Sequence, residues 1–360
     1  MTTYLLAGGG TAGHVNPMLA IADALRAREP EAIIICVGTA EGLEAQLVPA
    51  RGYELITIPR IPFPRARHFL SSSRTFLAGW PKAVATVVEL IAQRKVDVVI
   101  GVGGYAAAPA YAAAKKTHTP YVIHEANAKP GLANRWGARS TRFVGVTFEG
   151  TPLPHAVTVG TPLRKEIETL DIPAQRPAAL AYFGLEHHRP VLVVTSGSLG
   201  ARSINNAIAS SAQQLIDAGY QVLHIVGQNK PEALPQIPSY VAVDYCDRMD
   251  LALAAAQLVV SRAGSATVSE LSALGIPAVY VPYPVGNGEQ KFNAAGVVRA
   301  GGGILVEDEK FTPEWITQNL VPLMRDEARL EQMAEASARV GLRDGTARMI
   351  NLIDAALSSA

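Results

Sequence analysis

The sequence predicts an α/β protein with two doubly wound, parallel-sheet domains. Short runs rich in Val and Ile alternate along the chain with segments whose apolar residues recur at helical spacing. Strands of that composition are typical of parallel sheets buried on both faces, and repeated β-α-β units build doubly wound sheets. A length of 360 residues suits two domains better than one core. The 49% hydrophobic and 18% charged content is that of a globular chain.

The predicted strands are continuous apolar runs bounded by turn residues. In the first half of the chain they are "TYLLA" (3–7), "AIIICVG" (32–38), "ELITIP" (54–59), "VDVVIGV" (96–102), "YVIHE" (121–125), "FVGVT" (143–147) and "AVTVG" (156–160). In the second half they are "VLVVTS" (191–196), "QVLHIVG" (221–227), "YVAVDY" (240–245), "LVVSR" (258–262), "AVYVPY" (278–283) and "GGILV" (302–306).

Segments with a helical apolar period lie between these runs and are predicted to be crossover helices. They include "EGLEAQLVPARG" (41–52), "AVATVVELIAQRK" (83–95) and "SINNAIASSAQQLIDAGY" (203–220). The alternation of strand-like runs and helical segments is interrupted between Pro162 and Pro190. We therefore predict a domain boundary there, with a first domain over 1–160 and a second over 161–341. The final segment, "DGTARMINLIDAALSSA" (344–360), is predicted to be a helix.

Composition excludes several classes of protein. Two cysteines, Cys36 and Cys246, are too few for a disulfide framework or a zinc site and indicate a reducing, cytoplasmic setting. No basic region precedes the first apolar run, and no apolar run approaches the ~20 residues of a membrane span. A net charge of +1 disfavours a nucleic-acid surface. However, residues 1–160 carry 16 Lys and Arg against 10 Asp and Glu, which favours anionic partners there.

The stretch "GGGTAGHVNP" (8–17) runs from a strand into a helix and is the first candidate site. Gly8, Gly10 and Gly13 match the G-x-G-x-x-G spacing of dinucleotide-binding turns, but that use needs an acid at the end of the second strand. The first acid there, Glu41, follows only after a further turn. The loop therefore favours another anion, with a purely structural turn as the alternative. His14 is a candidate general base, or a local cap.

Two further motifs follow strands of the first domain, "VGGYAAAPA" (102–110) and "VIHEANAKPGLANR" (122–135). His124 and Glu125 are neighbours in an extended strand and point to opposite faces, so they are not expected to form a dyad, and one of them can be buried as structure. No H-E-x-x-H, cysteine pair or Asp-x-Asp motif occurs, so no metal ligands are predicted.

The second domain has three polar motifs at the ends of its strands. In "TSGSLGARS" (195–203), small residues at a helix start can donate to a diphosphate. "SRAGSATVSELSALGIPAVYVPYP" (261–284) holds Arg262, and also Glu270, whose carboxylate could accept from a ribose diol or lie on a solvated helix face. "GNGEQKFNAAG" (286–296) carries side chains suited to sugar hydroxyls, or to capping the next helix: Asn287, Glu289, Gln290 and Asn293.

Basic and large apolar residues alternate without an acid over residues 60–82, "RIPFPRARHFLSSSRTFLAGWPK". Such a mixture favours an anionic membrane surface, where each cation contributes about 1 kcal/mol. The alternative is that the aromatic residues belong to the core. The residues predicted to contact a membrane are Arg65, Arg67, Phe69, Leu70, Arg74, Phe76, Trp80 and Lys82.

In this order the motifs resemble the MurG family, which comprises UDP-N-acetylglucosamine–lipid N-acetylglucosaminyltransferases of peptidoglycan synthesis. The resemblance runs through "GGGTAGHVNP", "VGGYAAAP", "HEAN", "VGTPLR", "GSLGARSIN", "SRAGSATVSE" and "EQKFNA" and covers nearly the whole chain. It implies a GT-B architecture, with two Rossmann-like domains facing a central cleft. It also implies that a helix from about 342 to 360 packs back on the first domain.

The resemblance also implies roles for individual residues. The second domain would bind the donor, and the implied UDP-sugar contacts are Thr11, Ala12, Gly13, Asn127, Arg164, Ser198, Cys246, Arg262, Glu270, Glu289, Gln290 and Asn293. Among these, Ser198 and Arg164 would serve the diphosphate, Glu270 the ribose and the backbone near Cys246 the uracil. The acceptor diphosphate would lie on Gly8, Gly9, Gly10, Gly13, Gly103, Gly104 and Tyr105. His14 is the first choice for the base, with Glu125 and His124 as alternatives.

The implied reaction is inverting transfer of N-acetylglucosamine to the C4 hydroxyl of a lipid-linked N-acetylmuramyl-pentapeptide diphosphate, without metal or other cofactor. The implied location is peripheral, on the cytoplasmic side of the cell membrane. Some positions depart from the family pattern: Ala12, Ala107, Ala126, Leu199 and Glu289. The alternatives are a GT-B enzyme with another acceptor, an NAD(P)-dependent oxidoreductase, a nucleotide-sugar epimerase and a non-catalytic sugar-nucleotide binder.

Overall fold

A computed structural model of the chain describes residues 1–61, 69–197, 199–231, 233–285 and 288–359, without the side chains of residues 69–78. The chain divides into two compact units. Unit 1 comprises Met1–Arg164 and Asp344–Ala360, and unit 2 comprises Lys165–Arg343.

Unit 1 is built on a seven-stranded sheet in which every neighbouring pair of strands is parallel. Its strands are β1 (Thr3–Gly8), β2 (Ile33–Gly38), β3 (Glu54–Thr57), β4 (Val98–Gly103), β5 (Tyr121–Glu125), β6 (Val144–Val146) and β7 (Ala156–Thr158), in the order β3-β2-β1-β4-β5-β6-β7. Its first helices are α1 (Ala12–Arg28), α2 (Glu44–Ala50), α3 (Phe69–Arg94), α4 (Ala107–Thr117) and α5 (Leu132–Gly137).

Unit 2 repeats this architecture on a six-stranded parallel sheet. Its strands are β8 (Val191–Thr195), β9 (Gln221–Ile225), β10 (Tyr240–Val243), β11 (Leu258–Ser261), β12 (Ala278–Tyr280) and β13 (Gly303–Leu305), in the order β10-β9-β8-β11-β12-β13. Its α-helices are α6 (Lys165–Glu168), α7 (Ile172–Phe183), α8 (Arg202–Ser210), α9 (Ala212–Asp217), α10 (Met249–Ala255), α11 (Ser265–Leu274), α12 (Glu289–Arg299), α13 (Pro313–Trp315), α14 (Val321–Met324) and α15 (Glu327–Val340). A 3₁₀ turn (Asp308–Lys310) and a π-helical turn (Ile316–Leu320) complete it.

The last helix, α16 (Gly345–Leu357), belongs to unit 1. Its apolar face, which includes Met349 and Ile353, lies in the same buried cluster as strands β1 and β4. Its first residue packs against the backbone of Thr161, where a Cβ on Gly345 would lie 2.4 Å from the Thr161 carbonyl oxygen. Thr161 therefore lies in unit 1, and the division falls at Arg164 and Asp344, slightly beyond the predicted limits of 160 and 341.

The predicted strands and the parallel arrangement are confirmed, because the Val- and Ile-rich runs form central strands buried on both faces. The predicted crossover helix over 203–220 is instead two helices, α8 and α9, which are separated at Ser211 (φ −103°). None of the described helices combines the length and the apolar character that a membrane span requires.

Close packing beneath β4 and β5 depends on glycine. The Tyr111 ring of α4 occupies the space that a side chain on Gly101 or Gly137 would fill, at 2.1 and 2.5 Å from a Cβ added there. Its hydroxyl donates to Oδ1 of Asn134, 2.7 Å away. This contact fixes α5 next to the loop that follows β5, where several predicted site residues lie.

Candidate active site

In each unit the predicted glycine motifs lie at the point where the strand order reverses. In unit 1 the neighbours β1 and β4 lead into the loops at 8–11 and 103–106, and in unit 2 the neighbours β8 and β11 lead into the loops at 196–201 and 262–264. Ligands of doubly wound sheets bind outside the carboxyl ends of the strands at such a reversal. The topology therefore provides one candidate subsite in each unit.

The two glycine loops of unit 1 touch through their backbones. Gly104 has a φ of +84°, and a Cβ added to it would lie 2.4 Å from the carbonyl oxygen of Gly9. Only glycine combines this left-handed conformation with so close an approach. The contact brings together the predicted acceptor residues of the first loop and those of the second, Gly103, Gly104 and Tyr105.

His14 lies in the first turn of α1, beside the junction of the two loops. A Cβ on Gly103 would lie 3.1 Å from both Cδ2 and Nε2 of the imidazole, so the ring packs directly on the second loop. Nδ1 of His14 lies 3.4 Å from Oγ1 of Thr11, the residue preceding the helix. This arrangement turns Nε2 toward the second glycine loop. The half-buried ring is therefore placed to accept a proton at this junction.

The donors of the first loop do not all face one ligand. The N–H of Gly10 donates to the Glu44 carboxylate at 2.7 Å, so it does not serve as the phosphate donor expected of Gly10. Ala12 and Gly13 lie in the first turn of α1, and Thr11 makes no side-chain cap there. Helix N-termini carry open N–H groups and a partial positive charge, so this turn is the part of the loop that suits an anion.

Glu125 is buried, and its carboxylate is occupied by internal hydrogen bonds. Oε1 accepts from the Asn127 N–H at 2.9 Å, while Oε2 accepts from the Gly131 N–H at 3.0 Å and from Nδ2 of Asn134 at 2.9 Å. Both carboxylate oxygens are therefore occupied by donors of the chain itself. The geometry therefore favours a structural role for Glu125, which shapes the loop containing Asn127.

His124 is also fully buried, and Nε2 donates to the carbonyl oxygen of Gly160 at 3.0 Å. Burial lowers the pKa of His124 to about 4, although the Gly160 carbonyl partly opposes that shift. The ring is neutral at neutral pH and joins β5 to the loop after β7. Of the three predicted base candidates, His14 is the one with a geometry suited to proton transfer.

Arg60 was not among the predicted acceptor residues, because its position in the basic–aromatic stretch (60–82) associated it with the membrane. The structure places its guanidinium carbon 4.7 Å from the ring centroid of Tyr105, and Nη2 lies 3.3 Å from the Tyr105 hydroxyl. An exposed cation therefore lies on the aromatic residue that follows the second glycine loop. The positive charge at the start of the stretch was the available sequence signal.

Unit 2 contains a cavity of about 610 Å³ at the carboxyl ends of β8 and β11. The starts of α8 and α11 border it through Ala201, Arg202, Gly264 and Thr267. Ser196 also lines the cavity, and its buried hydroxyl has no hydrogen-bond partner among the described residues. Two helix N-termini and a buried hydroxyl suit an anionic group such as a diphosphate. The predicted contact Ser198 lies outside the described residues.

Arg262, predicted to touch the UDP-sugar, lines this cavity, and internal hydrogen bonds hold its guanidinium in the wall. Nη1 is hydrogen-bonded to Asp308 and donates to the carbonyl oxygens of Val281 and Pro282 at 3.1 and 3.2 Å. Nη2 donates to the hydroxyl of Ser203 at 3.1 Å. These bonds join the loop after β12 to the 3₁₀ turn and to α8. The structure therefore gives Arg262 an internal bonding role.

Two of the predicted sugar-binding amides hold the loops around the cavity. Oε1 of Gln290, which lines it, accepts from the N–H groups of Ala263 and Tyr283 at 3.1 and 2.9 Å. Nδ2 of Asn293 donates to the Ala263 carbonyl at 3.3 Å, and that side chain is buried. Glu289 is the first residue of the same helix, α12.

The remaining predicted donor contacts lie on separate elements. Glu270 follows Thr267 by three residues on α11 and therefore shares its side of the helix, toward the cavity. Cys246 lies in the loop after β10, and burial raises the pKa of its thiol to about 11, so the thiol is neutral. Arg164 is the last residue of the first segment of unit 1.

The predicted membrane residues are only partly described. Arg65 and Arg67 lie outside the described residues, and α3 contains Phe69, Leu70, Arg74 and Phe76, whose side chains are likewise outside them. Trp80 meets Trp136 of α5 edge to face, with ring centroids 6.0 Å apart. Trp136 is 39% exposed and Leu132, on the same helix, 55%.

Comparison with known proteins agrees with this architecture. Residues 4–145 match the glycosyltransferase family 28 N-terminal domain, and residues 191–349 match the C-terminal domain of that family. The chain is therefore a glycosyltransferase with two parallel-sheet α/β domains of the GT-B type.

Individual relatives narrow the assignment. A UDP-N-acetylglucosamine–N-acetylmuramyl-(pentapeptide) pyrophosphoryl-undecaprenol N-acetylglucosamine transferase of Leifsonia xyli subsp. xyli is 59% identical over all of both chains. The equivalent protein of Acidothermus cellulolyticus is 48% identical, covering 99% of this chain and 98% of the relative. The crystal structure of Acinetobacter baumannii MurG matches with a TM-score of 0.77 and 25% identity, covering 99% of this chain and 100% of that one. The chain belongs to the MurG family.

Proposed function

We propose that this enzyme transfers N-acetylglucosamine from UDP-N-acetylglucosamine to the C4 hydroxyl of lipid-linked N-acetylmuramyl-pentapeptide diphosphate, with inversion. The supporting observation is the His14 imidazole, which packs on the junction of two glycine loops. Family membership and the names of the relatives support the substrates. The same membership weighs against the oxidoreductase, epimerase and non-catalytic alternatives.

Unit 1 binds the acceptor in this proposal. The first turn of α1 provides N–H groups and the positive end of a helix dipole for the diphosphate. Gly103 and Gly104 allow the diphosphate to approach the backbone, and Arg60 on Tyr105 adds a cation at the rim. His14 then lies beside the bound diphosphate, where the muramyl sugar begins.

Unit 2 binds the donor in its cavity. The starts of α8 and α11, together with Ser196, serve the UDP diphosphate, and Glu270 accepts from the ribose hydroxyls. Arg262, Gln290 and Asn293 stabilise the loops that shape the site. The loop containing Cys246 accommodates the uracil.

In the reaction, the C4 oxygen of the acceptor attacks the anomeric carbon of N-acetylglucosamine on the face opposite UDP. A new C–O bond forms at that carbon as its bond to the UDP oxygen breaks, and the hydroxyl proton passes to Nε2 of His14. General-base help of this kind typically contributes 10²- to 10⁴-fold. The diphosphate charge that develops on UDP is stabilised by the helix N-termini of unit 2.

The proposed mechanism uses no metal or other cofactor. Within the described ranges, no group of three His, Cys, Asp or Glu side chains could hold a metal ion. We therefore expect full activity in the presence of EDTA. A loss that added Mg²⁺ restores would overturn the metal-free assignment.

The enzyme docks peripherally on the anionic, cytoplasmic leaflet of the cell membrane in this proposal, where the acceptor's lipid tail is anchored. The basic–aromatic stretch provides cations and apolar side chains. Trp136, which meets Trp80, and Leu132 on the same helix α5 are exposed. Basic residues next to exposed aromatic ones are typical of interfacial binding.

The test supplies UDP-N-acetylglucosamine and the lipid-linked acceptor, and follows UDP and the lipid product together. Stoichiometric UDP and disaccharide-lipid support the proposal. UDP release without that product would favour the second candidate, a GT-B enzyme with another acceptor. No release from folded protein would overturn both transferase assignments.

A further inference from the structure

A buried carboxylate lies directly beneath the first glycine loop. Glu44, the first residue of α2, has no exposed surface. Oε2 accepts from the Gly10 N–H at 2.7 Å, and Oε1 accepts from the N–H and the hydroxyl of Thr39, both at 2.8 Å. Burial alone would raise the pKa of Glu44, but these hydrogen bonds outweigh it and hold the pKa below its usual value. The carboxylate is therefore ionised at neutral pH.

Three glycines leave room for this side chain. A Cβ added to Gly9, Gly38 or Gly42 would lie 2.2, 2.4 or 2.1 Å from an atom of Glu44. Gly38 and Gly42 do not have the left-handed φ that would by itself demand glycine. The reason for glycine at those two positions is the space that Glu44 occupies. The surroundings of the carboxylate are thus shaped on three sides to accept it.

The location of this charge needs an explanation. A negative charge next to a loop that holds a diphosphate repels the ligand. The Glu44 carboxylate must therefore have a benefit that outweighs this repulsion. The bond to Gly10 fixes the peptide that joins Gly9 to Gly10. The carbonyl of Gly9 borders Gly104, and the chain passes from Gly10 through Thr11 into α1 and His14. One carboxylate therefore sets the orientation of the backbone that leads to both the second loop and the base.

We propose that Glu44 is a positioning residue for the acceptor, which fixes the first glycine loop so that the start of α1 and His14 face the acceptor diphosphate. This inference rests on the proposed assignment of the glycine loops to the acceptor. Glu44 touches neither substrate and acts through the backbone of Gly10.

The first test is Glu44→Gln, which keeps the size of the side chain. An amide places an N–H donor opposite either the Gly10 N–H or the Thr39 donors, so at least one charge-assisted hydrogen bond is lost. We expect kcat/KM for the lipid acceptor to fall about tenfold to a hundredfold. The Kd of UDP-N-acetylglucosamine, measured calorimetrically without acceptor, should stay within twofold. Glu41→Gln removes an exposed charge three residues away and should leave both values unchanged.

A backbone readout separates positioning from general destabilisation. In protein labelled with ¹⁵N-glycine, the Gly10 amide proton should move upfield in Glu44→Gln, because it loses a bond to an ionised oxygen. Gly42→Ala is the second variant, since its Cβ crowds Oε2 while the carboxylate charge is kept. It should show the same shift and the same acceptor-specific loss.

The outcomes are distinct. A shifted Gly10 resonance in either folded variant, with acceptor kcat/KM within twofold of the parent, overturns the proposal. A loss confined to the kinetics of UDP-N-acetylglucosamine also overturns it, by moving the glycine loop to the donor. That result would mean that the glycine loop was assigned to the wrong substrate. It would not show that the hydrogen bond between Glu44 and Gly10 is unimportant. An acceptor-specific loss together with the shift supports the proposal.

Discussion

Replacing Gly104 by alanine should separate the two glycine loops of unit 1. The added Cβ would lie 2.4 Å from the Gly9 carbonyl oxygen, whereas Cβ contacts below 3.0 Å are essentially never seen. The loops must therefore move apart by at least about 0.6 Å. The φ of +84° adds a strain of about 1 kcal/mol for a residue with a side chain.

The expected loss in activity follows from that displacement. A misplacement of about 1 Å can cost about a hundredfold in rate, so a shift of slightly more than half that size predicts a loss of about tenfold or more in kcat/KM for the acceptor. Gly52→Ala is the matched control. Its φ of +76° imposes comparable strain, but nothing lies within 4 Å of the added Cβ.

The assay compares both variants by urea unfolding and by kinetics with the lipid acceptor at saturating UDP-N-acetylglucosamine. Both should lose about 1 kcal/mol of stability from the left-handed φ, and only Gly104→Ala should lose acceptor kcat/KM. Equal kcat/KM values in the two variants would refute the argument from the close approach of the loops.

Further predictions concern the base, the cavity wall, the membrane and acid stability. His14→Ala should lower kcat by about 10²- to 10⁴-fold with unchanged Kd for UDP-N-acetylglucosamine, and a smaller loss would dismiss His14 as the base. Asp308→Asn weakens the ion pair with Arg262 in the cavity wall and should raise the Kd of UDP-N-acetylglucosamine several-fold, which calorimetry would detect. Replacing Arg65, Arg67 and Arg74 of the basic–aromatic stretch together by glutamate should weaken binding to anionic vesicles by about a hundredfold or more. Arg51→Glu, outside that stretch, should not, and equal losses would refute the assignment. Burial lowers the pKa of His224 from 6.5 to about 4, so the unfolded chain binds the extra proton and stability falls as the pH drops from about 6.5 to 4. His224 accounts for about 2 kcal/mol of this loss at pH 5, and buried His124, whose pKa is also lowered to about 4, accounts for about as much again. Identical urea midpoints at pH 7 and pH 5 would contradict both contributions.

The sequence predicted the sheets well, because buried parallel strands require long apolar runs whatever their neighbours are. It predicted one helix over 203–220 where the structure has two, since the apolar period continues through the break at Ser211. The glycine loops were also predictable, because their spacing and their position after strands are local properties. The family was predicted from the resemblance of the ordered motifs to those of the MurG family, and the comparisons confirm it.

The partners of the site residues could not be predicted. The sequence predicts that His124 and Glu125 point to opposite faces of the sheet. It does not predict their hydrogen bonds, His124 to Gly160 and Glu125 to Asn134, which give both side chains structural partners. Glu44 was assigned to an ordinary crossover helix, because its bond to Gly10 spans 34 residues. Arg262 is predicted to be a UDP-sugar contact, and its internal hydrogen bonds to Asp308 and Ser203 could not be read from the sequence. Hydrogen bonds between distant parts of the chain leave no periodic signal in a sequence.

The return of α16 to unit 1 has a consequence for synthesis. Unit 2 is continuous in sequence and needs no residue made after Arg343. Unit 1 begins earlier but lacks part of its core until Met349, Ile350, Ile353 and Ala356 arrive. Buried aliphatic side chains contribute about 1.5–3 kcal/mol each, so three of these together match a large share of a typical domain's stability. The nascent chain therefore cannot complete the core of unit 1 until residues 345–357 have been made, although β1 of that unit is its first strand.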